Sequence, residues 1–289
     1  VELKSNVIYM INRLINLIQC LNKDKPLSVI RLGNVEATQL LDTNNIFNQM
    51  KTNAGFFGNQ KQLKKWSNDC MRALMTADCT LMVFSCPSFQ VIDSVITKYN
   101  LFIPTLPYIE DVSFWVSLIN QLNTNKFCFV SYFAKQMEQQ AQLLNWIFPN
   151  KTNYKKSSAD WKFVECENTI AGNEPTDKTF DEVLEELFQD CLKQDSDIYL
   201  LSCGCYGLPL QYKLKEAGKK SIYIGGMLQL LFGIKGKRFD EREIHKQHYN
   251  KYWKYPIRKP KNAHLVEGAC YWGEESSSAV SKKSSPPKC

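Results

Sequence analysis

Arg31, Asn34 and Glu36 lie close together in the segment SVIRLGNVE, immediately after an apolar run typical of a buried strand. A guanidinium in that position can hold a phosphate through two parallel hydrogen bonds. Gly33 lets the backbone approach a ligand closely, and a carboxylate such as Glu36 can hold a divalent cation that bridges a diphosphate. The same residue types also suit a strand that ends in an ordinary turn, with Arg31 and Glu36 paired to each other or to neighbours.

A second candidate is the segment SCGCYGLPL, residues 202–210. It resembles a glycine-rich turn that opens a helix, where free backbone amides and the helix dipole favour an anion. It lacks the spacing of the GxGxxG and GxxxxGK(S/T) motifs, which argues against ordinary dinucleotide or P-loop binding.

A third candidate is the segment IGGMLQLLFGIKGKRFD, residues 224–240, which follows another strand-like run. It combines paired glycines with the basic side chains of Lys235, Lys237 and Arg238, which could attract phosphate. The alternative is a sharp left-handed turn at Gly225 or Gly226 followed by a buried helix.

In the segment KTNAGFFG, Asn53, Gly55 and Gly58 flank two phenylalanines. A mobile loop that closes aromatic rings over a sugar or a base would have this composition. A loop whose two aromatic rings attach it to the core would have it too.

Histidine and cysteine chemistry has little support in the sequence. His245 and His248 are three residues apart, but no nearby Cys or third His completes a ligand group with them, and we expect all three histidines, His264 included, on the surface. The eleven cysteines are scattered, several of them in apolar runs, which favours thiols in a reducing compartment over disulfides. No GxSxG motif or recognisable protease cysteine supports a covalent acyl intermediate.

Apolar strand-like runs alternate with longer amphipathic stretches, as in a sheet covered by helices. The predicted strands are LSVIRLG at 27–33, LMVFSC at 81–86, FCFVSY at 127–132, WKFVEC at 161–166, IYLLSC at 198–203 and SIYIGG at 221–226. The predicted helices are an opening one with Val7, Met10, Ile11, Leu14, Ile15 and Ile18 on one face, and further ones at 109–122, 133–147 and 178–193. Thr179 and Glu182 have the spacing of a capping box at the start of the last helix. The sequence therefore predicts an α/β fold with a Rossmann-like, mostly parallel sheet flanked by helices, whose ligand site lies beyond the carboxyl ends of the strands.

The 289 residues are 44% hydrophobic, enough to form a core without disulfides or metals. We expect a single α/β domain at 1–273 and a flexible polar tail at 274–289. The sequence contains no run of eighteen uncharged apolar residues that would predict a membrane span, so we expect a soluble, cytoplasmic protein. The first residue is Val1, which is typical of a processed or excised piece. Much of the net charge of +7 lies after Lys235, which fits either a phosphate-attracting or a simply solvated face.

Taken together, SVIRLGNVE, NAGFF, the run from IYLLSCGCYGLPL to IGGMLQLLFGIKGKRFD, YNKYW and VEGACYW resemble bacterial and viral glycosyltransferases of the type D (GT-D) fold. The features that carry the resemblance are an RxGDGE-like or RxGNxE-like segment after an early strand, and GCGxYGLPL followed by GGxxQLLFGIKGKR. They cover the first sixty residues and about 196–272. The resemblance implies transfer of a sugar from a nucleotide-sugar donor, a UDP- or GDP-sugar, to a glycan or other hydroxyl acceptor, with a role in surface-glycan synthesis.

The resemblance also implies a metal-bound diphosphate, with manganese or magnesium held by Asn34 and Glu36. Because Asn34 stands where the family has an acid, metal affinity should be weaker than with two carboxylates. We name Glu36 and Asp240 as candidate catalytic bases and do not rank Glu110 or Asp111 against them. The residues expected to bind substrate are Arg31, Gly33, Asn34, Asn53, Gly55, Gly204, Tyr206, Gly207, Gly225, Gly226, Gln229 and Lys235.

Two other classes remain open. One is a non-catalytic nucleotide- or glycan-binding module of the same fold, suggested by Asn34 in place of an acid. The other, ranked last, is a basic nucleic-acid-binding domain, and we expect no DNA partner because zinc-finger, RNP-type and basic-heptad patterns are missing.

Overall fold

Seven parallel strands form one sheet in the order β3-β2-β1-β7-β6-β4-β5. The computed structural model describes residues 15–41, 46–82, 88–150, 160–175 and 177–273. The strands are β1 (Leu27–Ile30), β2 (Cys79–Met82), β3 (Thr105–Pro107), β4 (Phe127–Ser131), β5 (Lys162–Glu165), β6 (Ile198–Ser202) and β7 (Lys220–Tyr223). The predicted α/β architecture, a parallel sheet flanked by helices, is confirmed.

Helices follow most of the strands along the chain. They are α1 (including 15–21), α2 (Asn34–Leu41), α3 (Phe47–Gln49, continued as a π-helix over Met50–Ala54), α4 (Gln60–Thr76), α5 (Ser88–Lys98), α6 (Val112–Asn120), α7 (Ala134–Ala141), α8 (Leu144–Ile147), α9 (Phe180–Leu192), α10 (Gly207–Glu216), α11 (Met227–Leu230), α12 (Lys237–Asp240) and α13 (Glu243–Lys246). Within the described residues, none is long and apolar enough to cross a membrane.

The central strands are buried on both faces, as in other parallel sheets covered by helices. Along β1, Val29 belongs to the apolar core on one face of the sheet and Ile30 to the core on the other. In β6, Leu200 and Leu201 divide between the two cores in the same way. No disulfide joins the cysteines that the structure describes, so this core forms without them.

Most of the predicted elements are present. The predicted strand at 81–86 holds Leu81 and Met82 in β2, and its remainder lies outside the described residues. The opening helix is described only from residue 15, and the tail at 274–289 lies outside the described residues as well. The predicted helix at 133–147 is two helices, α7 and α8, separated by a turn.

The sequence pattern did not predict β3 or helices α2, α4 and α5. Strand β3 consists of three residues, Thr-Leu-Pro, at the edge of the sheet, and carries no apolar run. Its proline is tolerated there because an edge strand leaves one row of backbone groups unpaired.

The capping box at the start of α9 is confirmed. The Thr179 hydroxyl accepts a hydrogen bond from the Glu182 N–H at 3.3 Å, and the Glu182 carboxylate accepts one from the Thr179 N–H at 2.7 Å. Together they satisfy backbone donors that the first turn leaves unpaired.

We expect Thr179→Ala to lower the free energy of unfolding by about 1 kcal/mol, because the cap is lost. Thr179→Ser keeps the hydroxyl and should retain most of that stability. Urea unfolding of both variants checks this, and equal losses in the two would contradict the capping role.

Candidate binding site at the carboxyl ends of the strands

A cavity of about 230 Å³ lies beyond the carboxyl ends of β1, β6 and β7. Strands β1 and β7 are neighbours at the centre of the sheet, and the chain leaves β1 towards β2 and β3, whereas β6, β4 and β5 lie on the other side. A crevice forms at such a reversal of direction, and open α/β sheets bind their ligands there.

Nine of the residues that we expected to bind substrate or take part in catalysis line this cavity. They are Arg31, Gly33, Asn34, Glu36, Asn53, Gly204, Gly225, Gly226 and Gln229. The fold thus brings together four segments that are separate in the sequence. Five other predicted residues, all within the described part of the chain, lie outside the cavity wall: Gly55, Tyr206, Gly207, Lys235 and Asp240.

Arg31 follows β1 directly and is half-buried in the cavity wall. Its guanidinium carbon lies 4.6 Å from the centre of the Tyr108 ring. Its Nη1 atom lies against the turn after β7, where a Cβ on Gly225 would come within 2.9 Å of it. The buried Nε–H has no hydrogen-bond partner among the described residues. A buried donor without an acceptor costs about 1–3 kcal/mol, a cost that an anion in the cavity would remove.

Glu36 lies in the first turn of α2, which begins at Asn34. Its carboxylate turns back towards Gly33, where a Cβ would collide with it. Burial raises the pKa of the Glu36 carboxyl above its ordinary value, and a hydrogen bond from its own backbone N–H and the nearby Arg31 oppose that rise. A carboxyl with a raised pKa is well suited to accept a proton near neutral pH.

The turn after β6 approaches the rest of the cavity wall closely. Gly204 has φ of 54°, and a Cβ there would lie 2.5 Å from the carbonyl oxygen of Ala54 and 2.7 Å from the Tyr132 hydroxyl. The Tyr223 hydroxyl donates to the Gly204 carbonyl at 3.3 Å. Only glycine fits both the backbone angle and the space, so the turn at 204 requires it.

Arg238 reaches the cavity from α12 and lies beside the turn after β7. Its guanidinium carbon is 5.2 Å from the centre of the Tyr271 ring. A Cβ on Gly226 would lie 3.1 Å from that ring and 3.8 Å from Nη1 of Arg238. The paired glycines therefore leave room for Arg31 on one side and for Arg238 with Tyr271 on the other.

Gln229 is 1% exposed, yet it lines the cavity. Its amide nitrogen donates to the carbonyl of Lys235 at 2.8 Å and lies within 3.4 Å of that of Tyr271. Its amide oxygen has no hydrogen-bond partner among the described residues. Gln229 thus holds the C-terminal segment beside the cavity.

The loop that carries Asn53 and Gly55 is attached to the core by its two phenylalanines. Phe56 and Phe57 are both buried, and both rings contact Phe180. The sequence left open whether these rings close over a ligand or attach the loop to the core, and the structure shows attachment to the core. The Gly55 carbonyl accepts a hydrogen bond from Thr169 at 2.5 Å.

Tyr206 and Gly207 pack within the fold. The Tyr206 ring stacks on Phe180 at 4.8 Å, and its hydroxyl lies 3.2 Å from that of Thr169. A Cβ on Gly207 would collide with the Tyr223 ring. Both residues hold the start of α10 close to the sheet.

Lys235 and Asp240 turn towards a tyrosine instead of the cavity. The Lys235 ammonium lies 4.2 Å from the centre of the Tyr255 ring, and burial lowers the pKa of this lysine. The Tyr255 hydroxyl donates to Asp240 at 2.9 Å. We therefore do not retain Asp240 as a candidate base or Lys235 as a phosphate ligand.

The remaining two candidate carboxylates already have partners. Glu110 forms an ion pair with Arg242 at the exposed rim of the cavity. Asp111 caps α6 by accepting a hydrogen bond from the Ser113 N–H at 2.8 Å. Glu36 is consequently the best-placed base of the four that we considered.

The expectation that all three histidines lie on the surface is wrong for His245. Its side chain is 0% exposed and packs edge-on against Phe239, which lines the cavity. Neither ring nitrogen has a hydrogen-bond partner among the described residues. Burial lowers the pKa of His245, and Arg242 lowers it further.

Sequence reasoning did not select the aromatic residues of the cavity wall. Tyr108, Tyr132, Tyr223, Tyr271 and Trp272 all line it. Tyr271 and Trp272 lie in VEGACYW, part of the resembling sequence, which was the one signal that could have indicated them. Tyr108 follows β3, which no sequence pattern predicted.

The described residues form no complete protein site for a divalent metal ion. Within the described chain, no group of three or more His, Cys, Asp or Glu side chains could hold one. Asn34 is exposed, and the Glu36 carboxylate already accepts a hydrogen bond from its own N–H. The nearby cation Arg31 would repel a second cation. Asn34 and Glu36 could supply only a few of the oxygen ligands that such ions take, and the others would have to come from substrate phosphates and water.

No protein-family model matches the sequence, and no curated protein matches it. Among solved structures, a glycosyltransferase (DUF1792) from Streptococcus sanguinis aligns with 89% of this chain and 97% of its own, at 14% identity and a TM-score of 0.48. A selenomethionine-substituted domain of unknown function 1792 (DUF1792) aligns with 87% of this chain and 97% of its own, at 11% identity and a TM-score of 0.47. At this level of similarity, neither structure assigns a family or an activity to this chain.

The burial of His245 predicts a loss of stability in mild acid. Its pKa in the folded state is lowered, so the unfolded chain takes up a proton at higher pH, and stability falls as pH drops below the ordinary value of about 6.5. The charged and titratable neighbours are Arg242, Glu110, His248 and Asp111. We expect the free energy of unfolding to fall between about pH 7.5 and about pH 5.5, and to fall less in His245→Phe, which keeps an aromatic ring against Phe239.

Urea unfolding at the two pH values measures both free energies. His264→Phe is the control, because His264 is exposed and should leave the pH dependence unchanged. An equal pH dependence in wild type and His245→Phe would show that His245 does not cause it.

Proposed function

We propose that this chain is a glycosyltransferase that moves a sugar from a nucleotide-sugar donor to a hydroxyl acceptor. The observation that carries the proposal is the position of Arg31 and Glu36 in one cavity, beside the glycine turns at Gly204 and Gly225. A transferase of this kind needs a cation for the departing diphosphate and a base for the acceptor hydroxyl, and both groups are there.

The chemistry follows from those two groups. In a direct displacement, the acceptor oxygen forms a bond to the anomeric carbon as the bond from that carbon to the diphosphate breaks. The electron pair of the broken bond leaves with the diphosphate, and Arg31 stabilises the added negative charge. Glu36 takes the proton of the acceptor hydroxyl. No step passes through a metal ion.

The rest of the cavity wall would bind the sugar and the base. Asn53 offers its amide group, and Gln229 its amide oxygen, to sugar hydroxyls. Tyr108 and Tyr271 offer aromatic faces, and burial raises the pKa of Tyr108 to about 12, so its hydroxyl stays neutral. The identity of the sugar and its acceptor, a place in surface-glycan synthesis and a cytoplasmic location stay predictions.

The alternative is a module that binds a nucleotide or glycan without turnover. The exposed Asn34, which carries no charge where the resembling proteins have an acid, favours it. The two functions differ in one measurable respect, since a module would bind the donor and leave it intact.

We expect Glu36→Gln to slow the release of UDP or GDP from the matching nucleotide sugar by about 100-fold or more, because the general base is lost. Donor affinity should change little, since the substitution keeps the shape of the side chain. Slow donor hydrolysis, with water as acceptor, measures the rate, and isothermal titration measures the affinity.

Glu216→Gln is the matched control, because Glu216 is exposed at the end of α10 and should leave the rate unchanged. Donor binding without any release in the wild type would favour the binding module. Binding of none of a panel of UDP- and GDP-sugars would contradict both functions.

A further inference from the structure

Two guanidinium groups lie against the paired glycines that follow β7. Nη1 of Arg31 lies within 2.9 Å of the Cβ position of Gly225, and Nη1 of Arg238 lies within 3.8 Å of that of Gly226. Both side chains line the same cavity, so the two cations border one volume that a ligand could occupy.

Neither arginine forms a direct ion pair with a carboxylate among the described residues, whereas the other described arginines do. Those pairs are Arg72 with Asp69, Arg242 with Glu110, and Arg258 with Glu165. Arg238 lies beside the thiol of Cys270, which stays neutral because burial raises its pKa to about 12. Glu36 lies close enough to Arg31, and Glu267 to Arg238, to interact electrostatically, but neither carboxylate forms a direct ion pair with them in the described structure.

Aromatic rings hold both guanidinium planes in place. Arg31 stacks on Tyr108 at 4.6 Å and Arg238 on Tyr271 at 5.2 Å. Stacking uses the faces of the guanidinium groups and leaves their N–H edges open to a ligand. The buried Nε–H of Arg31 is such an edge, since it has no acceptor in the described structure.

We infer that Arg31 and Arg238 together bind the diphosphate group of the donor and supply the positive charge that a divalent metal ion would otherwise supply. The inference rests on the proposed function for the identity of the donor. Two fixed guanidinium groups provide the same formal charge as one divalent ion and form directed hydrogen bonds to phosphate oxygens. No group of three or more His, Cys, Asp or Glu side chains in the described structure could hold a metal, whereas the cavity presents two guanidinium groups to an anion.

Isothermal titration with inorganic pyrophosphate, in excess EDTA and separately with Mn²⁺, tests the inference on the intact chain. We expect binding in EDTA with the same affinity as in Mn²⁺. Arg31→Lys and Arg238→Lys should each weaken it by about tenfold or more, because a charge-assisted hydrogen bond is lost while the charge remains. Arg72→Lys, on the exposed face of α4, should leave it unchanged.

Binding that appears only with Mn²⁺ would overturn the inference, and so would wild-type affinity in both cavity lysine variants. The titration in EDTA uses the wild-type chain, so it decides the question even if a variant fails to fold, which circular dichroism would reveal. Pyrophosphate binding in EDTA without consumption of any nucleotide sugar would leave the inference standing and refute the proposed transfer. Donor consumption that requires Mn²⁺ would support the proposed transfer and refute the inference.

Discussion

The parallel pairing of β1 with β7 is the constraint on which the cavity depends. It sets Val29 opposite Ile222, so the two strands end side by side, one in Arg31 and the other in the Gly225–Gly226 turn. Gln211 in α10 stabilises this pairing, because its buried amide donates a hydrogen bond to the Val29 carbonyl at 2.9 Å. A slip of one residue would turn Arg31 to the other face of the sheet.

Glycine makes the close packing around that pairing possible. The turn at Gly204 allows the chain after β6 to approach Ala54, and the turn at Gly225 allows Arg31 to lie against the end of β7. Both have positive φ, 54° and 66°. A side chain at Gly204 would collide with Ala54 and Tyr132, and one at Gly225 with Arg31, so the glycines shape the cavity wall as well as the backbone.

The sequence predicted the fold well where strands are long and apolar. Strands β4 and β6 consist almost entirely of buried residues, and their apolar runs give a clear signal. Strand β3 gives none, since its place in the sheet depends on pairing with β2 and not on its own composition. Helix α2 also gives no clear sequence signal, because its apolar residues are only weakly segregated to one face.

The candidate site was predicted where it depends on strand ends and missed where it depends on tertiary packing. Arg31 and Gly204 follow strands directly, so their place at the sheet edge could be deduced. Lys235 and Asp240 are close in sequence to the glycine pair, yet Tyr255 draws both away from the cavity. Tyr271 enters it only because the C-terminal segment folds back over Gly226.

The central claim is that an anion binds between the end of β1 and the turn after β7. The most direct measurement is a crystal structure of the chain with a bound nucleoside diphosphate. The account predicts phosphate oxygens within hydrogen-bonding distance of the Arg31 guanidinium and beside Gly225. Phosphates bound instead at the exposed lysines of residues 251–261, with Arg31 untouched, would contradict it.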